Sequence, residues 1–314
     1  MTPLLKIDSL SVHFTKSAGL FRPSTTLRAV SDVSLEMRRG EVLAIVGESG
    51  SGKSTLGLAV AGLRKPTHGS ISIDSARSEA VRHERVRMIF QDPFAAIDPR
   101  MIVEDIVGEP LRLAGVDASD RRAQVVEALE EVGMPADTGQ RYPHQFSGGQ
   151  RQRIAIARAL IGEPELIVAD EPLSALDVSI QSKIVNLMVD IRRRKQISYF
   201  FISHDFGVVR HLADQVAVLY LGQLMEVARA DRIFATPSHP YTQALLDAVP
   251  RIGRGRRQRA TTLAGEVPSP LDPPSGCVFH TRCPRATAIC AQERPQMLPA
   301  PGRNQQAAAC HHKD

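Results

Sequence analysis

A glycine-rich stretch, GESGSGKST, follows directly on the apolar run VLAIV. It fits the pattern G-x-x-x-x-G-K-[ST], with Gly47 at its start and Lys53 and Ser54 near its end. Small residues let consecutive backbone N–H groups converge on phosphate oxygens, the following helix presents its positive end, and the lysine reaches the outer phosphates. The pattern predicts a phosphate-binding loop in which Ser54 ligates Mg²⁺, and its place between an apolar strand and a helix disfavours a chance match. The expected phosphate contacts are Gly47, Glu48, Ser49, Gly50, Ser51, Gly52, Lys53, Ser54 and Thr55.

A second element, ELIVADEP, ends a strongly apolar run with two carboxylates. A carboxylate at the end of such a strand can hold Mg²⁺, and its neighbour can orient and polarise a water molecule against a terminal phosphate. The sequence predicts the first role for Asp170 and the second for Glu171. A phosphate loop needs such a partner, which favours these roles over an acidic strand end without function.

A third element, FSGGQRQRIAIARAL, opens a predicted helix with two glycines. The bare amides of its first turn form a second anion site. One nucleotide hardly needs two such sites, so we expect a dimer in which the phosphate loop of one subunit and this helix end of the other hold the same ATP. The expected contacts from this segment are Ser147, Gly148, Gly149 and Gln150.

All four cysteines of the chain lie between residues 277 and 310. Their spacing differs from the C-x₂-C of ordinary zinc sites, and the lack of an export signal disfavours disulfides. A proline-stiffened segment with little apolar periodicity would gain folding energy from a bound metal centre. From the residues alone, one metal centre, a zinc site that also uses His280 or His311, and four unligated thiols are all open. The cysteines are Cys277, Cys283, Cys290 and Cys310.

Strand and helix patterns alternate over most of the chain and argue for a largely parallel α/β sheet that positions these groups. Partly alternating apolar residues in LLKIDSLSVHF and VSLEM predict strands near the start. The segment 105–133 has helical spacing instead and is interpreted as an inserted helical subdomain, with Ser119 as the expected N-cap. The apolar residues at this spacing are Val125, Val126, Leu129 and Val132. About half of the 21 prolines follow residue 235, which marks a loop-rich C-terminal extension.

The composition is that of a globular protein, with 43% hydrophobic and 23% charged residues among 314. The start lacks the basic head and apolar run of a signal peptide, and no stretch approaches the roughly 18 apolar residues of a membrane helix. We therefore expect a protein that neither leaves the cell nor spans a membrane by itself. The net charge of +5 would suit a nucleic-acid partner. Much of the excess lies in RIGRGRRQR, however, and favours a solvated basic linker.

With these motifs in place, the chain resembles the nucleotide-binding subunit of an ATP-binding cassette (ABC) transporter. GESGSGKST, FQDP, FSGGQRQRIAIARAL, ADEPLSALD and ISHD match the family's Walker A, Q-loop, signature, Walker B with D-loop, and switch-histidine motifs. FQDPFAAIDPRMIVEDIVGEPL, HPYTQALLDAVP and GCVFHTRCP are similar to the ATPase subunits of bacterial oligopeptide/dipeptide permeases, the peptide/nickel branch. The resemblance covers essentially the whole chain.

The resemblance implies an α/β P-loop NTPase fold. Its expected parts are a RecA-like parallel sheet core, an antiparallel β subdomain, an inserted α-helical subdomain and a small loop-rich C-terminal domain. The implied boundaries are residues 1–234 for the ATPase domain, with the helical subdomain at about 92–160, and residues 235–314 for the extension.

The resemblance also implies roles for further residues. Gln91 would contact Mg²⁺, sense the γ-phosphate and link both to the membrane subunits, while Asp177 would couple two ATP sites across a dimer. His204 would contact the γ-phosphate and hold the water molecule of Glu171 in register. An aromatic residue of the first strand stacks on adenine in this family, and Phe14 is the candidate here, with Phe21 in the following insertion as the alternative.

The cysteines gain an implied role in the same way. Some peptide-permease ATPases that resemble this chain bind a four-iron, four-sulfur cluster through cysteines in this segment. The implied cluster ligands are Cys277, Cys283, Cys290 and Cys310. The role of the cluster would be structural or redox-sensing, because every group expected to act in ATP hydrolysis precedes residue 235.

The implied function is ATP hydrolysis that powers the import of peptides through a permease. The expected partners are a second, identical or related cassette, two membrane subunits and an external solute-binding protein, at the cytoplasmic face of the inner membrane. Nickel chelates or another small solute are the alternative cargo. ABC ATPases of the chromosome-maintenance type are less similar, because Lys53 and Ser147 are only 94 positions apart and leave no room for a long coiled coil. Intact Glu171 and His204 disfavour a non-catalytic regulator.

Overall fold

The structure is a computed structural model that describes residues 2–16, 25–73, 85–92, 97–249, 265–300 and 306–312. The chain forms two compact units. We call the first the helical unit; it comprises mainly Ile73–Ile202, with Arg38–Glu41 and the first residues of the chain. We call the second the loop unit; it comprises Leu5–Met37, Val42–Ser72 and Ser203–Asp314, and so contains the predicted phosphate loop and the C-terminal extension.

The described residues form eleven strands, nine α-helices and three short 3₁₀ turns. The strands are β1 (Leu5–Lys16), β2 (Thr25–Met37), β3 (Val42–Val46), β4 (His68–Ile73), β5 (Val86–Ile89), β6 (Leu166–Asp170), β7 (Ser198–Ile202), β8 (Gln215–Tyr220), β9 (Gln223–Arg229), β10 (Leu298–Pro299) and β11 (Gln306–Ala308). The α-helices are α1 (Lys53–Val60), α2 (Val103–Leu113), α3 (Ala118–Glu131), α4 (Gly148–Leu160), α5 (Val178–Lys195), α6 (Phe206–Leu212), α7 (Ala230–Ala235), α8 (Pro240–Asp247) and α9 (Ala288–Gln292). Short 3₁₀ turns span Ala136–Gln140, Pro143–Gln145 and His280–Arg282.

The helical unit contains a parallel ladder of β5, β6 and β7. Val168 pairs with Met88 on one side and with Phe200 on the other. Every residue of β6 and β7 is buried, which explains why both sequences are continuous apolar runs rather than alternating ones. Because parallel strands end at the same edge, the residues that follow β5 and β6 emerge on one side of this ladder.

Helices α2, α3 and α4 of the helical unit pack against one another. Val125 and Leu129 are buried on one face of α3, as the spacing predicts. The N-cap prediction was wrong by two residues, because α3 begins at Ala118 and Asp117 takes the N-cap position. The Asp117 carbonyl accepts the N–H of Arg121, so Ser119 already lies in the first helical turn.

The loop unit contains two sheets. The three-stranded sheet has the order β2-β1-β4, with β1 and β2 antiparallel. In the second sheet β3 and β8 are parallel, β9 is antiparallel to β8, and β11 is antiparallel to β9. The buried run of β3 ends at Val46, directly before the glycine-rich stretch. This strand and helix α1 therefore flank the predicted phosphate loop, as the sequence indicates.

The described part of the C-terminal extension shares the hydrophobic core of the loop unit. Val278 and Phe279 are buried with Val218 and Tyr220 of β8, and β11 pairs its Ala307 with Val227 of β9. The apolar residues of GCVF are thus packed into the core, although the surrounding sequence is rich in proline and turns. The domain boundary at residue 235 stays a prediction. Among the described helices, none is both long and apolar enough to cross a membrane.

Candidate nucleotide-binding site

The glycine-rich loop has the close backbone contacts that its glycines permit. Gly47 has φ +153°, and a Cβ there would lie 2.1 Å from the Leu219 carbonyl oxygen. Gly52 has φ +99°, and a Cβ there would lie 2.2 Å from the carbonyl oxygen of Ala29. Any other residue at either position would have to displace backbone. The two glycines of the G-x-x-x-x-G pattern are therefore required by this packing.

Lys53 is buried at the start of α1 and lies against the loop. Its Nζ donates hydrogen bonds to the carbonyl oxygens of Gly47 at 2.9 Å and Glu48 at 2.8 Å. Gly52 takes the N-cap position of α1, where no side chain caps the helix. The loop thus joins an ammonium group to the positive end of a helix, which is the arrangement that binds phosphate oxygens. Ser54 is exposed on the first turn.

Asp170 and Glu171 lie where β6 ends in the helical unit. Asp170 is buried, with only 7% of its surface exposed. Glu171 adopts φ +43°, a left-handed backbone that costs a non-glycine residue on the order of 1–3 kcal/mol and that clusters at functional sites. Its N–H donates to the carbonyl oxygen of Ile202 on β7 at 3.0 Å, which holds this backbone in place.

Gln91 and Glu171 lie close together, as two of the predicted catalytic residues should. The Gln91 Nε2 donates to the Glu171 Oε2 at 3.4 Å. The pairing follows from the fold, since Gln91 comes two residues after β5 and β5 pairs with β6 in parallel. The Q-loop glutamine can thus orient the proposed catalytic carboxylate.

The signature segment caps helix α4 with its own side chains. The Ser147 Oγ accepts the Gln150 N–H at 3.4 Å, and the Gln150 Oε1 accepts the Ser147 N–H at 3.0 Å. This reciprocal capping uses the N–H groups of Ser147 and Gln150 and does not involve the amides of Gly148 and Gly149, which lie on the first turn. A Cβ at Gly149 would lie 2.6 Å from Ile180 Cγ2, whereas one at Gly148 would make only ordinary contact. Gly149 is therefore needed for packing against α5, and Gly148 is not.

Asp177 and His204 lie at the starts of two further helices. Asp177 is exposed at the N-cap position of α5, where its carbonyl oxygen accepts the N–H groups of Ile180 and Gln181. His204 is exposed in the loop unit, directly before Asp205, whose carboxylate caps α6 by accepting two backbone N–H groups. Both residues lie in polar turns that leave their side chains at the surface.

Phe14, the candidate adenine-stacking residue, lies on β1 and is partly exposed. The guanidinium carbon of Arg64 lies 4.2 Å from the centre of its ring. The ring therefore makes a cation–π contact with Arg64, which was not predicted from the sequence. Phe21, the alternative, lies outside the described residues.

The four cysteines form no disulfide bond, and Cys277 and Cys290 are buried whereas the other two are partly buried. Burial raises the pKa of Cys277 to about 11, with smaller contributions in the same direction from the other three cysteines. Burial is also the largest cause that raises the pKa of Cys283 and of Cys310. Cys277 and Cys290 lie in the hydrophobic core of the loop unit, and Cys283 packs against it.

The arrangement of the cysteines does not support the predicted metal centre. Within the described ranges, no group of three or more histidine, cysteine or acidic side chains is arranged to hold a metal ion. The two histidines of the zinc alternative contact backbone carbonyls instead. His280 Nδ1 lies 2.8 Å from the Cys277 oxygen, and His311 Nε2 lies 2.9 Å from the Glu293 oxygen.

Two contacts of Glu48 were not predicted from the sequence. Its carboxylate pairs with Arg282, and its N–H donates to the hydroxyl of Tyr241. Both partners lie in segments that carry the resemblance to the peptide branch, HPYTQALL and GCVFHTRCP. The presence of both partners in motifs of the peptide branch was the only signal in the sequence, because no local pattern links residues so far apart.

Comparison with known proteins places the chain in a family. A profile described as "ABC transporter" matches residues 30–174, and one described as "Oligopeptide/dipeptide transporter, C-terminal region" matches residues 225–290. The dipeptide transport ATP-binding protein DppF of Haemophilus influenzae is 43% identical over 304 residues, which cover 94% of this chain and 93% of that protein. The di/tripeptide transport ATP-binding protein DppF of Pseudomonas aeruginosa is also 43% identical, with 100% of this chain and 99% of that protein covered.

A solved structure is similar as well. It is described as the dimeric structure of an ATP-binding cassette in a post-hydrolysis state, bound to ADP and Pi, and matches with a TM-score of 0.62 and 26% identity. The match covers 72% of this chain and 98% of the other. It confirms the fold class predicted from the sequence. The chain therefore belongs to the ABC transporter family, as an ATP-hydrolysing subunit whose C-terminal region is that of oligopeptide/dipeptide transporters.

Proposed function

We propose that this chain hydrolyses ATP to power the import of peptides through a membrane permease. The observation that carries the chemical part is the strained Glu171 backbone beside Gln91, with the two side chains 3.4 Å apart. A carboxylate held in this way is suited to orient and polarise the attacking water molecule. The peptide cargo is supported by relatives named for dipeptide and di/tripeptide transport, which match over the extension as well as the ATPase part.

The binding residues follow from the motifs. The proposed phosphate contacts are the loop residues 47–55, with the Nζ of Lys53 among them, and Phe14 is proposed to stack on adenine. The proposed Mg²⁺ ligands are Ser54, Gln91 and Asp170, which offer only oxygen donors, the donor type that Mg²⁺ prefers. Held by these residues, Mg²⁺ would neutralise the negative charge that develops on the phosphate groups.

The remaining roles concern the γ-phosphate and a second cassette. The signature residues Ser147, Gly148, Gly149 and Gln150 would bind the γ-phosphate held by the partner's loop, with the amides of Gly148 and Gly149 as donors. Asp177 would couple the two sites across the dimer, and His204 would contact the γ-phosphate. Closure of the pair on ATP would move membrane subunits that dock near Gln91 and the helical subdomain, and hydrolysis would let the pair part. These partners, and an external binding protein, would set the chain at the cytoplasmic face of the inner membrane.

The four cysteines form a separate part of the proposal. The resemblance to peptide-permease ATPases leads us to propose a four-iron, four-sulfur cluster on these cysteines, with zinc and free thiols as the alternatives. The described arrangement lacks a group that holds a metal ion, so no step of hydrolysis is assigned to the cluster. Its role would be structural or redox-sensing.

A binding experiment tests the assignment against its alternatives. Inverted membrane vesicles that contain the cognate permease should retain the full-length chain, whereas double-stranded DNA at matched ionic strength should not. ATP hydrolysis should rise when the chain is bound to these vesicles. Retention on DNA without retention on the vesicles would favour a nucleic-acid ATPase. Stimulation by vesicles that transport nickel but no peptide would favour the other cargo.

A further inference from the structure

The C-terminal extension contacts the phosphate loop through residues to which ATP hydrolysis assigns no role. Tyr241 lies on α8, within HPYTQALL, and Arg282 ends the 3₁₀ turn His280–Arg282, within GCVFHTRCP. Both reach Glu48, from which they are separated by 193 and 234 positions in the sequence. All three residues belong to the loop unit. Two distant segments of the extension thus converge on the second residue of the loop.

Arg282 holds the Glu48 side chain with both arms of its guanidinium group. Nη1 donates to Oε2 at 2.6 Å, and Nη2 donates to Oε1 at 3.1 Å. Nη1 also lies 3.3 Å from the hydroxyl oxygen of Tyr220. The Arg282 side chain is 5% exposed and that of Glu48 is 26% exposed, so water screens this pair only in part. A paired, shielded guanidinium–carboxylate fork fixes orientation as well as distance.

Tyr241 holds the Glu48 backbone. Its hydroxyl oxygen accepts the Glu48 N–H at 3.0 Å. Its ring is fully buried and packs against the rings of Tyr220 and Phe279, whose centres lie 4.7 and 5.2 Å away. The hydroxyl position is therefore set by the core that the extension shares with β8.

The held residue is in turn connected to Lys53. The Glu48 carbonyl oxygen accepts a hydrogen bond from Lys53 Nζ at 2.8 Å. Side chain, N–H and carbonyl of Glu48 are all engaged, two of them by the extension and one by the phosphate-binding lysine. A shift of Glu48 would therefore change both the loop backbone and the position of the ammonium group.

We propose that Arg282 and Tyr241 are positioning residues for the phosphate loop, through which the C-terminal extension raises the affinity for ATP. A loop that spends less time in the binding-competent shape binds its ligand more weakly in the same proportion. Bound nucleotide must, by linkage, stabilise the contact of the extension with the loop by the same factor. The inference rests on the proposed role of residues 47–55 in ATP binding.

Equilibrium binding of a fluorescent ATP analogue, mant-ATP with Mg²⁺, to the full-length chain tests the proposal. Arg282→Gln should raise Kd about tenfold, inside the roughly 5- to 150-fold range of coupled sites. The Kd of Arg282→Lys should lie between those of the original protein and Arg282→Gln, because lysine keeps the charge but not the forked pair of hydrogen bonds. Tyr241→Phe should raise Kd about fivefold, the low end of that range. Arg285→Gln, which removes the same charge three residues away, should leave Kd within twofold of the original protein.

A double-mutant cycle separates positioning from general destabilisation. If Arg282 acts through Glu48, the double variant Glu48→Gln/Arg282→Gln should bind no more weakly than either single variant, with unfolding midpoints recorded without nucleotide for each. Unchanged Kd in both Arg282→Gln and Tyr241→Phe, or additive losses in the double variant, would overturn the proposal. Should Arg282→Gln fail to fold, the Kd of Tyr241→Phe still tests the proposal. Lys53→Ala tests the proposed function itself, because intact ATP binding by that variant would refute the assignment of the phosphate loop. If Lys53→Ala loses binding while the Arg282 and Tyr241 variants keep the original Kd, only the positioning role of the extension is refuted.

Discussion

Replacing Glu171 with glutamine tests the chemical role proposed for the end of β6. The change substitutes an amide for a carboxylate of nearly the same shape and keeps an oxygen that can accept from Gln91, now 3.4 Å from the Glu171 Oε2. The backbone at φ +43° is held by the hydrogen bond from its N–H to Ile202, which the substitution does not touch. Since the side chain is partly exposed, we expect stability to change by no more than about 0.5 kcal/mol.

The expected loss is in turnover and not in binding. A positioned general base contributes about 10²- to 10⁴-fold, which corresponds to about 3–5 kcal/mol of activation free energy. The proposed phosphate contacts, by contrast, come from Lys53 and the loop amides, which keep their own hydrogen bonds. The variant should therefore bind ATP normally in the mant-ATP titration and lose at least about 100-fold in steady-state hydrolysis by the assembled transporter.

Glu163→Gln is the matched control for this experiment. Glu163 also has a left-handed backbone, with φ +51°, and is exposed in the turn between α4 and β6. Its substitution by glutamine removes the same charge as Glu171→Gln. Its variant should hydrolyse ATP at the original rate. Undiminished hydrolysis by Glu171→Gln, or an equal loss in both variants, would refute the proposed role of Glu171.

The other predictions concern the signature helix, the buried histidine of the extension and the cysteines. Gly148→Asp should abolish hydrolysis by the assembled transporter while Gly148→Ala retains it, because a Cβ there meets Leu176 Cδ2 at 3.6 Å without strain and only the charge would repel a phosphate; equal activity of both variants would contradict a shared site. His239 is buried, its Nδ1 accepts the Tyr241 N–H at 3.0 Å, and burial lowers its pKa to about 4. Because the unfolded chain takes up this proton near pH 6.5, the stability is complete above that pH and falls by up to about 3 kcal/mol as the pH drops to 4; urea unfolding of His239→Gln should lack this part of the loss, and an identical pH dependence would refute it. Protein purified without oxygen should contain iron and sulfide and lose both in Cys283→Ser, whereas colourless protein with stoichiometric zinc, or with no metal, would reject the cluster.

Local motifs allowed the sequence to predict most of the candidate site. The phosphate loop, the acidic end of β6 and the capped start of α4 are each encoded within a dozen residues, and the close contacts at Gly47 and Gly52 explain why glycine is needed at those spacings. The proximity of Gln91 and Glu171 follows from the parallel pairing of β5 with β6. Such features depend on neighbours along the chain or along a sheet.

Contacts between distant segments could not be predicted in this way. Arg282 and Glu48 are 234 positions apart, and neither lies in a periodic pattern that would bring them together. Arg64 likewise covers the Phe14 ring from the turn that follows α1, so the residues around Phe14 in the sequence gave no sign of this contact. Spacing also could not decide the state of the cysteines, because neutral buried thiols and a metal centre can share the same intervals.

The central claim, that ATP binding by this chain powers peptide import, is tested most directly by uptake of a labelled tripeptide into cells that lack the gene. The original chain should restore uptake, whereas Lys53→Ala, expressed to the same level, should not. The variant lacks the ammonium group of Lys53, which lies 2.8–2.9 Å from two loop carbonyl oxygens and is the proposed phosphate contact. Nickel uptake, measured in the same cells, should not depend on the gene. Full uptake with Lys53→Ala, or normal peptide uptake without the gene together with lost nickel uptake, would refute ATP-powered peptide import by this chain.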